Sequence, residues 1–232
     1  MLAARWFGWH LLTLAERERL EDLVKRFVAD KRWEAANGFA LTDEMRVLIA
    51  AQACLLVLEL DYDHFRGVGS IIVHPTTVVL QGQRATDTTG IVSTGPFPVQ
   101  GQAQYAGPVT ISWDVASHEA RHPGLASNVV YHEFAHKLDM LDGTIDGTPP
   151  LSNEQARRRW IDVFTREYES LQAGTAGDLI RDYGTVNPGE FFAVATEVFF
   201  CRPLALREDK PELYEAMADF YRQNPASRMC TD

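Results

Sequence analysis

The residues best suited to chemistry are His132-Glu133-Phe134-Ala135-His136, an H-E-x-x-H sequence. On a helix the i, i+4 spacing stacks two imidazoles one turn apart on one face, where both can ligate a single zinc ion. Glu133 then lies about 100° round the helix from His132, close enough to address a zinc-activated water without ligating the metal. That is the layout of a zinc hydrolase. The same five residues also fit a buried helix that happens to hold two histidines, because a pattern with three fixed positions recurs by chance.

A catalytic zinc takes three protein ligands and keeps one position for water. The metzincin continuation, with Gly and a third His, is excluded because Asp139 and Asp142 occupy those places. Asp142 and Asp146 are possible aspartate ligands, but Asp142-Gly143-Thr144-Ile145-Asp146-Gly147 is also ordinary turn chemistry. A stronger candidate lies downstream. Ser152-Asn153-Glu154-Gln155 opens a helix through about Gln172, which Gly174 to Gly177 ends. Asn187 then suits an N-cap, Pro188 the first helical position and Glu190 the third. Glu190 and Glu197 share one face of this otherwise apolar helix, and carboxylates on a buried face want a cation. Glu190 has a second account as a capping-box glutamate that needs no metal. Glu197 either orients a histidine or is the ligand itself. Asp139 can accept from the outer nitrogen of His136, or sit at the helix end against Lys137 or solvent.

These residues need a frame. Thr13-x-x-Glu16 looks like a capping box, and Leu20, Leu23, Val24, Phe27 and Val28 recur at helical spacing through about Lys31. After Asn37-Gly38, Thr42 or Asp43 caps a second, apolar helix to about Leu60. Ser70 to His74, Thr76 to Leu80 and Val109 to Trp113 read as short strands, with Gln81 to Gly107 as a surface excursion beside a cleft. The strand ending at Trp113 is a candidate cradle, since an edge strand can grip an extended peptide through its backbone whatever the peptide's sequence. His118 and His122 read as solvated loop residues. The motif helix is expected from about Leu125 to Asp139, apolar on both faces and therefore buried. An unpaired buried imidazole is costly, whereas a metal satisfies one ring nitrogen and leaves the other to an acceptor.

The whole chain sets the bounds. Its 232 residues allow one substantial core, and a net charge of −10 argues against nucleic-acid or anionic-membrane partners. Cys54, Cys201 and Cys230 form no C-x-x-C pair and leave an odd thiol, which favours a reducing compartment. Met1 to Leu14 lacks a long apolar core and cleavage site, and Val47 to Leu60 is too short to span a bilayer. A soluble, cytoplasmic protein is expected.

His-Glu-Phe-Ala-His-Lys-Leu-Asp (132 to 139), the run from Asp182-Tyr183-Gly184-Thr185-Val186-Asn187-Pro188-Gly189-Glu190 through Glu197, and Gly-Pro-Val-Thr-Ile-Ser-Trp (107 to 113) together resemble the Mlc titration factor A family of bacterial zinc peptidases. The catalytic core of that family is similar to that of anthrax lethal factor. The resemblance runs in order from the first helix to the last and is weakest before Leu11. It implies one zinc ion on His132, His136 and Glu190, Glu133 as general base and Tyr183 assisting catalysis. Asp139 and Glu197 would support the ligands. It further implies aminopeptidase-like cleavage of a peptide substrate and, in some members, binding to a glucose-responsive transcriptional repressor. A repressor-titrating protein with secondary peptidase activity is the alternative. The expected fold is α+β: a mainly helical, zincin-like single domain over 1–232 with a small mixed β-sheet beside the motif helix. Residues from about 11 to 60 would form an N-terminal helical scaffold, and those from about 61 to 232 the catalytic core.

Overall fold

Thr13 starts the first long helix, α1 (Leu14–Asp30), through both halves of a capping box: its hydroxyl accepts from Glu16 N, and the Glu16 carboxylate accepts from Thr13 N. The computed structural model describes residues 1–36, 38–76 and 107–229. Leu20, Val24 and Phe27 of α1 are buried. Past Lys31 the chain enters a strand that the pattern did not announce, β1 (Arg32–Ala35), which pairs in parallel with β2 (Ser70–His74) from Arg32 opposite Ser70. Four residues without a clear alternation carry too little signal, and the partner that makes them a strand lies far along the chain.

Helix α2 (Asp43–Leu56), capped by Thr42, is buried continuously from Leu48 to Leu56. It stops short of the expected Leu60 because the backbone tightens into three-residue turns, with Val57 N bonding Cys54 O and Leu58 N bonding Leu55 O. Apolar content marked the burial of Val57 and Leu58, not their geometry. β2 pairs in parallel with β3 (Val109–Ser112), giving the order β1-β2-β3, wholly parallel among the described residues. Residues 77–80 of the expected strand and the excursion over 81–106 lie outside the described residues, as do Asn37 and Cys230. Trp113 opens a helix, α3 (Trp113–Glu119), instead of closing the strand.

The motif helix α4 is Val129–Asp139, shorter than expected at its start. Pro123 initiates a separate 3-10 turn through Leu125, Ala126 takes a left-handed conformation at φ 53°, and Leu125 is 51% exposed. α5 (Glu154–Gln172) opens within the expected Ser152 to Gln155 stretch, with Asn153 as its cap, and α6 (Pro188–Cys201) starts from Asn187, with Pro188 in its first turn. α7 (Pro203–Asp209) and α8 (Pro211–Tyr221) also open on proline, whose fixed φ suits that position.

Every residue of α6 from Gly189 to Cys201 is buried, and it packs lengthwise on α4. The opposite side of α4 is held by Phe134, whose ring lies 5.7 Å from Phe27 and 5.0 Å from Phe65. Truncating such a ring costs about 3–5 kcal/mol, so the motif helix is fixed from behind. Trp6 adds a bond from its indole Nε1 to the Tyr131 hydroxyl at 3.3 Å. Cys54 and Cys201 are buried thiols. Among the described residues no helix is long and apolar enough to cross a membrane.

Candidate active site

A helix leaves its first backbone N–H groups without intrahelical partners, and in α4 these are buried, so each needs an acceptor. Asn128 supplies two bonds: its Oδ1 accepts from Val130 N and Tyr131 N at 3.1 and 3.0 Å. Val129 N goes to Glu119 Oε2 at 2.7 Å, and Asn128 N to Glu197 Oε2 at 2.6 Å. The Asn128 amide donates to Gln52 Oε1 at 2.7 Å, and Gln52 returns a bond to Leu48 O. Two buried carboxylates at the positive end of the helix are thus part of its foundation. Sequence reasoning missed Glu119, Asn128 and Gln52. Asn128 directly before an apolar run was a readable cap signal, and Gln52 was the polar break in an apolar helix. Nothing local marked Glu119.

The second oxygen of Glu197, which is 0% exposed, accepts from His132 Nδ1 at 2.8 Å and from Arg181 Nη2 at 2.6 Å. Assigned from this bonding, Nδ1 carries the proton and Nε2 is the nitrogen left for a metal. That nitrogen lies 3.0 Å from Glu190 Oε2 and 3.2 Å from His136 Nε2, and His136 Nε2 is 3.4 Å from the same Glu190 oxygen. Ligand atoms arranged tetrahedrally at about 2.0–2.2 Å from one zinc ion would stand about 3.3–3.6 Å apart, so the triangle, at 3.0 to 3.4 Å, is slightly smaller than that. Glu190 Oε2 is buried and angled so that neither imidazole contact meets hydrogen-bond geometry. An orphaned carboxylate oxygen facing two imidazole nitrogens fits a cation at the centre. Among the described residues this is the one cluster of three such side chains.

The electrostatics agree. Burial opposes protonation of His132, yet Glu190 and Glu197 beside it raise its pKa to about 10. Burial acts to raise the Glu190 carboxyl, and the two histidines outweigh it and hold that group well below the usual carboxylate range. The site is built to hold positive charge. Glu133, half-buried on the next position of α4, is pushed up by burial, with His132 and His136 opposing.

Tyr183 sits in a 3-10 turn (Asp182–Thr185), its ring centroid 5.9 Å from that of His132. Asp139 is fully buried and pushed up to about 7 by burial, and its Oδ2 accepts from Gly147 N at 3.0 Å. No hydrogen bond joins its Oδ1 to His136 Nδ1, and both atoms are buried without a hydrogen-bond partner. Gly147, at φ +76°, meets α6 so closely that an added Cβ would stand 2.4 Å from Pro188 O, and its carbonyl accepts from Trp160 Nε1 at 2.8 Å. A Cβ on Gly189 would be 2.9 Å from Ile145 Cγ2. Asp139 and this loop therefore clamp the turn that presents Glu190. Asp142 and Asp146 are exposed, accept from Thr144 N and Thr148 N in local turns, and do not join the cluster. His118 and His122 are exposed as expected, but His118 lies in the last turn of α3 and not in a loop, and their rings stack at 4.3 Å.

A family model described as glucose-regulated metallo-peptidase M90 matches residues 1–222. An uncharacterized protein of Synechocystis is 34% identical over 219 residues, covering 92% of this chain and 79% of that protein. Mlc titration factor A of Escherichia fergusonii is 31% identical over 225 residues, covering 95% of this chain and 84% of that protein. The same-named protein of Edwardsiella ictaluri is 33% identical over 221 residues, with coverage of 92% and 83%.

Proposed function

From the premise that the chain belongs to the glucose-regulated metallo-peptidase M90 family, together with the Mlc titration factor A proteins, we propose that it is a zinc-dependent, aminopeptidase-like peptidase. The observation that carries this is the triangle of His132 Nε2, His136 Nε2 and Glu190 Oε2 at 3.0 to 3.4 Å, with Glu133 between the histidines in sequence. His132, His136 and Glu190 would hold the ion. When bound, zinc supplies Lewis-acid polarisation and a water whose pKa falls toward about 7. Glu133 accepts a proton as water attacks the peptide carbonyl and returns it to the leaving amine. Tyr183 donates a hydrogen bond to the carbonyl oxygen as charge develops there. Glu197 fixes the His132 tautomer, and Asp139, through its bond from Gly147 N, braces the loop that abuts the start of the Glu190 helix.

The peptide would lie along β3. Among the described residues β3 pairs with β2 alone, leaving its other side as a sheet edge, and Lys137 Nζ of α4 holds Gly107 O at 3.0 Å just before the strand. In this reading residues 1–232 act as one unit, with 11 to 60 as scaffold, since β1 and α2 brace the sheet and α4.

Metal analysis and chelation test the proposal: zinc at one per chain and hydrolysis abolished by chelation are expected. Purified protein free of zinc, hydrolysing equally well with chelator, would overturn it. The name carried by two relatives supports a second reading, in which the chain binds a glucose-responsive transcriptional repressor and peptidase activity is secondary. Glu133→Gln separates the two: kcat should fall about 10²–10⁴-fold. Repressor binding that persists in this variant assigns regulation to another surface.

A further inference from the structure

The geometry points to Arg181 as a positioning residue that registers the Tyr183 turn against the Glu197–His132 pair. This inference rests on the proposed metal centre and adds a residue to its support.

Glu197 has two oxygens and three donors, of which Arg181 brings a guanidinium. The Arg181 contact, at 2.6 Å, falls on the same Oε1 that receives His132 Nδ1, so the guanidinium fixes where the histidine's acceptor stands. A charge-assisted bond to a planar donor restrains a carboxylate far better than a neutral amide does. Arg181 also heads the turn that carries Tyr183: its carbonyl accepts from Gly184 N at 2.9 Å. At the far end, Thr185 O accepts from the Tyr168 hydroxyl on α5 at 3.1 Å. Tyr183 is thereby pinned two residues before by a charge on α6 and two residues after by a phenol on α5. Gly184 fills the inside of the turn, where a Cβ would be 3.1 Å from Leu171. One side chain thus sets both the orientation of His132 and the placement of the tyrosine beside it. A role limited to neutralising Glu197 would not involve the turn.

The test uses the full chain carrying Arg181→Gln, Arg181→Lys, Tyr183→Phe and the Arg181→Gln/Tyr183→Phe pair. Zinc affinity is read by competition with a chromogenic chelator, the site's geometry by the visible spectrum of the Co²⁺-loaded protein, and turnover with alanine p-nitroanilide. Arg181→Gln should weaken zinc binding about 10–100-fold, as loss of ligand support does, and alter the Co²⁺ spectrum. Its kcat should fall about 10-fold or more while KM stays within about twofold. In the Tyr183→Phe background the same change should cost less than about threefold in kcat, because the turn no longer has a hydroxyl to place. Arg181→Lys, which keeps the charge without the fork, should restore zinc affinity more than kcat. Equal kcat losses in both Tyr183 backgrounds would overturn the registration of Tyr183. Zinc affinity and a Co²⁺ spectrum unchanged in both Arg181 variants would overturn the link to His132. Wild-type protein that binds neither ion would instead remove the metal centre itself. Wild-type protein that binds zinc without turnover would remove the peptidase reading, leaving the Arg181 link decided by affinity and spectrum.

Discussion

Two glutamates occupy the third position of their helices, each three residues after a capping side chain, and they do opposite things. Glu16 follows Thr13 and turns back, its Oε2 accepting from Thr13 N at 2.8 Å while Oε1 takes the Arg228 guanidinium at 2.7 and 3.0 Å. Glu190 follows Asn187, donates its backbone N–H to the capping Asn187 Oδ1 at 2.9 Å, and sends its carboxylate to the histidines. Glu16 is partly exposed, whereas Glu190 is 3% exposed. A capping bond is one option open to a glutamate at this position; a buried pair of imidazoles on the neighbouring helix is a stronger competitor than one backbone N–H. The local motif is the same, and the tertiary neighbour decides.

Several substitutions should break or sharpen this contrast. Glu190→Gln should abolish stoichiometric zinc in metal analysis, a loss beyond the roughly 10–100-fold expected for a supporting carboxylate, whereas Glu16→Gln should keep full zinc and turnover. Retained zinc in Glu190→Gln would make Glu190 a second capping residue after all. Acidification separates them next. Both carboxyls are lowered from a reference of 4.5, Glu190 the further, so each contributes stability above that value and loses it as pH falls through its folded pKa. In chelator-treated protein the urea midpoint of Glu190→Gln should therefore fall below that of wild type at pH 7, with the gap closing below about pH 4.5. For Glu16→Gln a smaller gap should begin to close at the same pH and be lost over a narrower range, because its carboxyl is lowered less. Removing the caps gives smaller effects. Asn187→Ala should cost about 1 kcal/mol of stability and also weaken zinc binding, because it loosens the turn that presents Glu190. Thr13→Ala should cost a similar or smaller amount, read by thermal melting, with zinc affinity unmoved.

The capping contrast also marks what could be read from the sequence. That His132 and His136 stand one turn apart on one helix face was legible from spacing alone, since helical periodicity is local, and so were the caps at Thr13 and Asn187. The choice among Glu190, Glu197 and Asp146 was not, because spacing places both glutamates on one face without saying which reaches the histidines. The resemblance ranked them, and the fold brings Glu190 to Nε2 of both histidines and Glu197 to Nδ1 of His132. Glu119 and Arg181 were invisible for a related reason: their partners are remote in sequence, and a polar residue reads alike whether it faces water or a buried helix end. β1 failed differently, as a four-residue strand is defined by the neighbour it pairs with. Val57 and Leu58 are buried as their apolar side chains suggest, yet they lie past the helix end, since burial and periodicity are separate properties.

The close approach of Gly147 to Pro188 has a genetic consequence. A Cβ at position 147 would drive into the carbonyl of the residue two before Glu190, and the positive φ there penalises any other amino acid as well. In a screen for inactive alleles, substitutions at Gly147 and Gly189 should therefore emerge beside those at the histidines. Any scheme that scores alleles by whether the altered side chain meets the metal would pass them as harmless. A glycine that donates no ligand would then mark the limit of what a motif search can say about this gene.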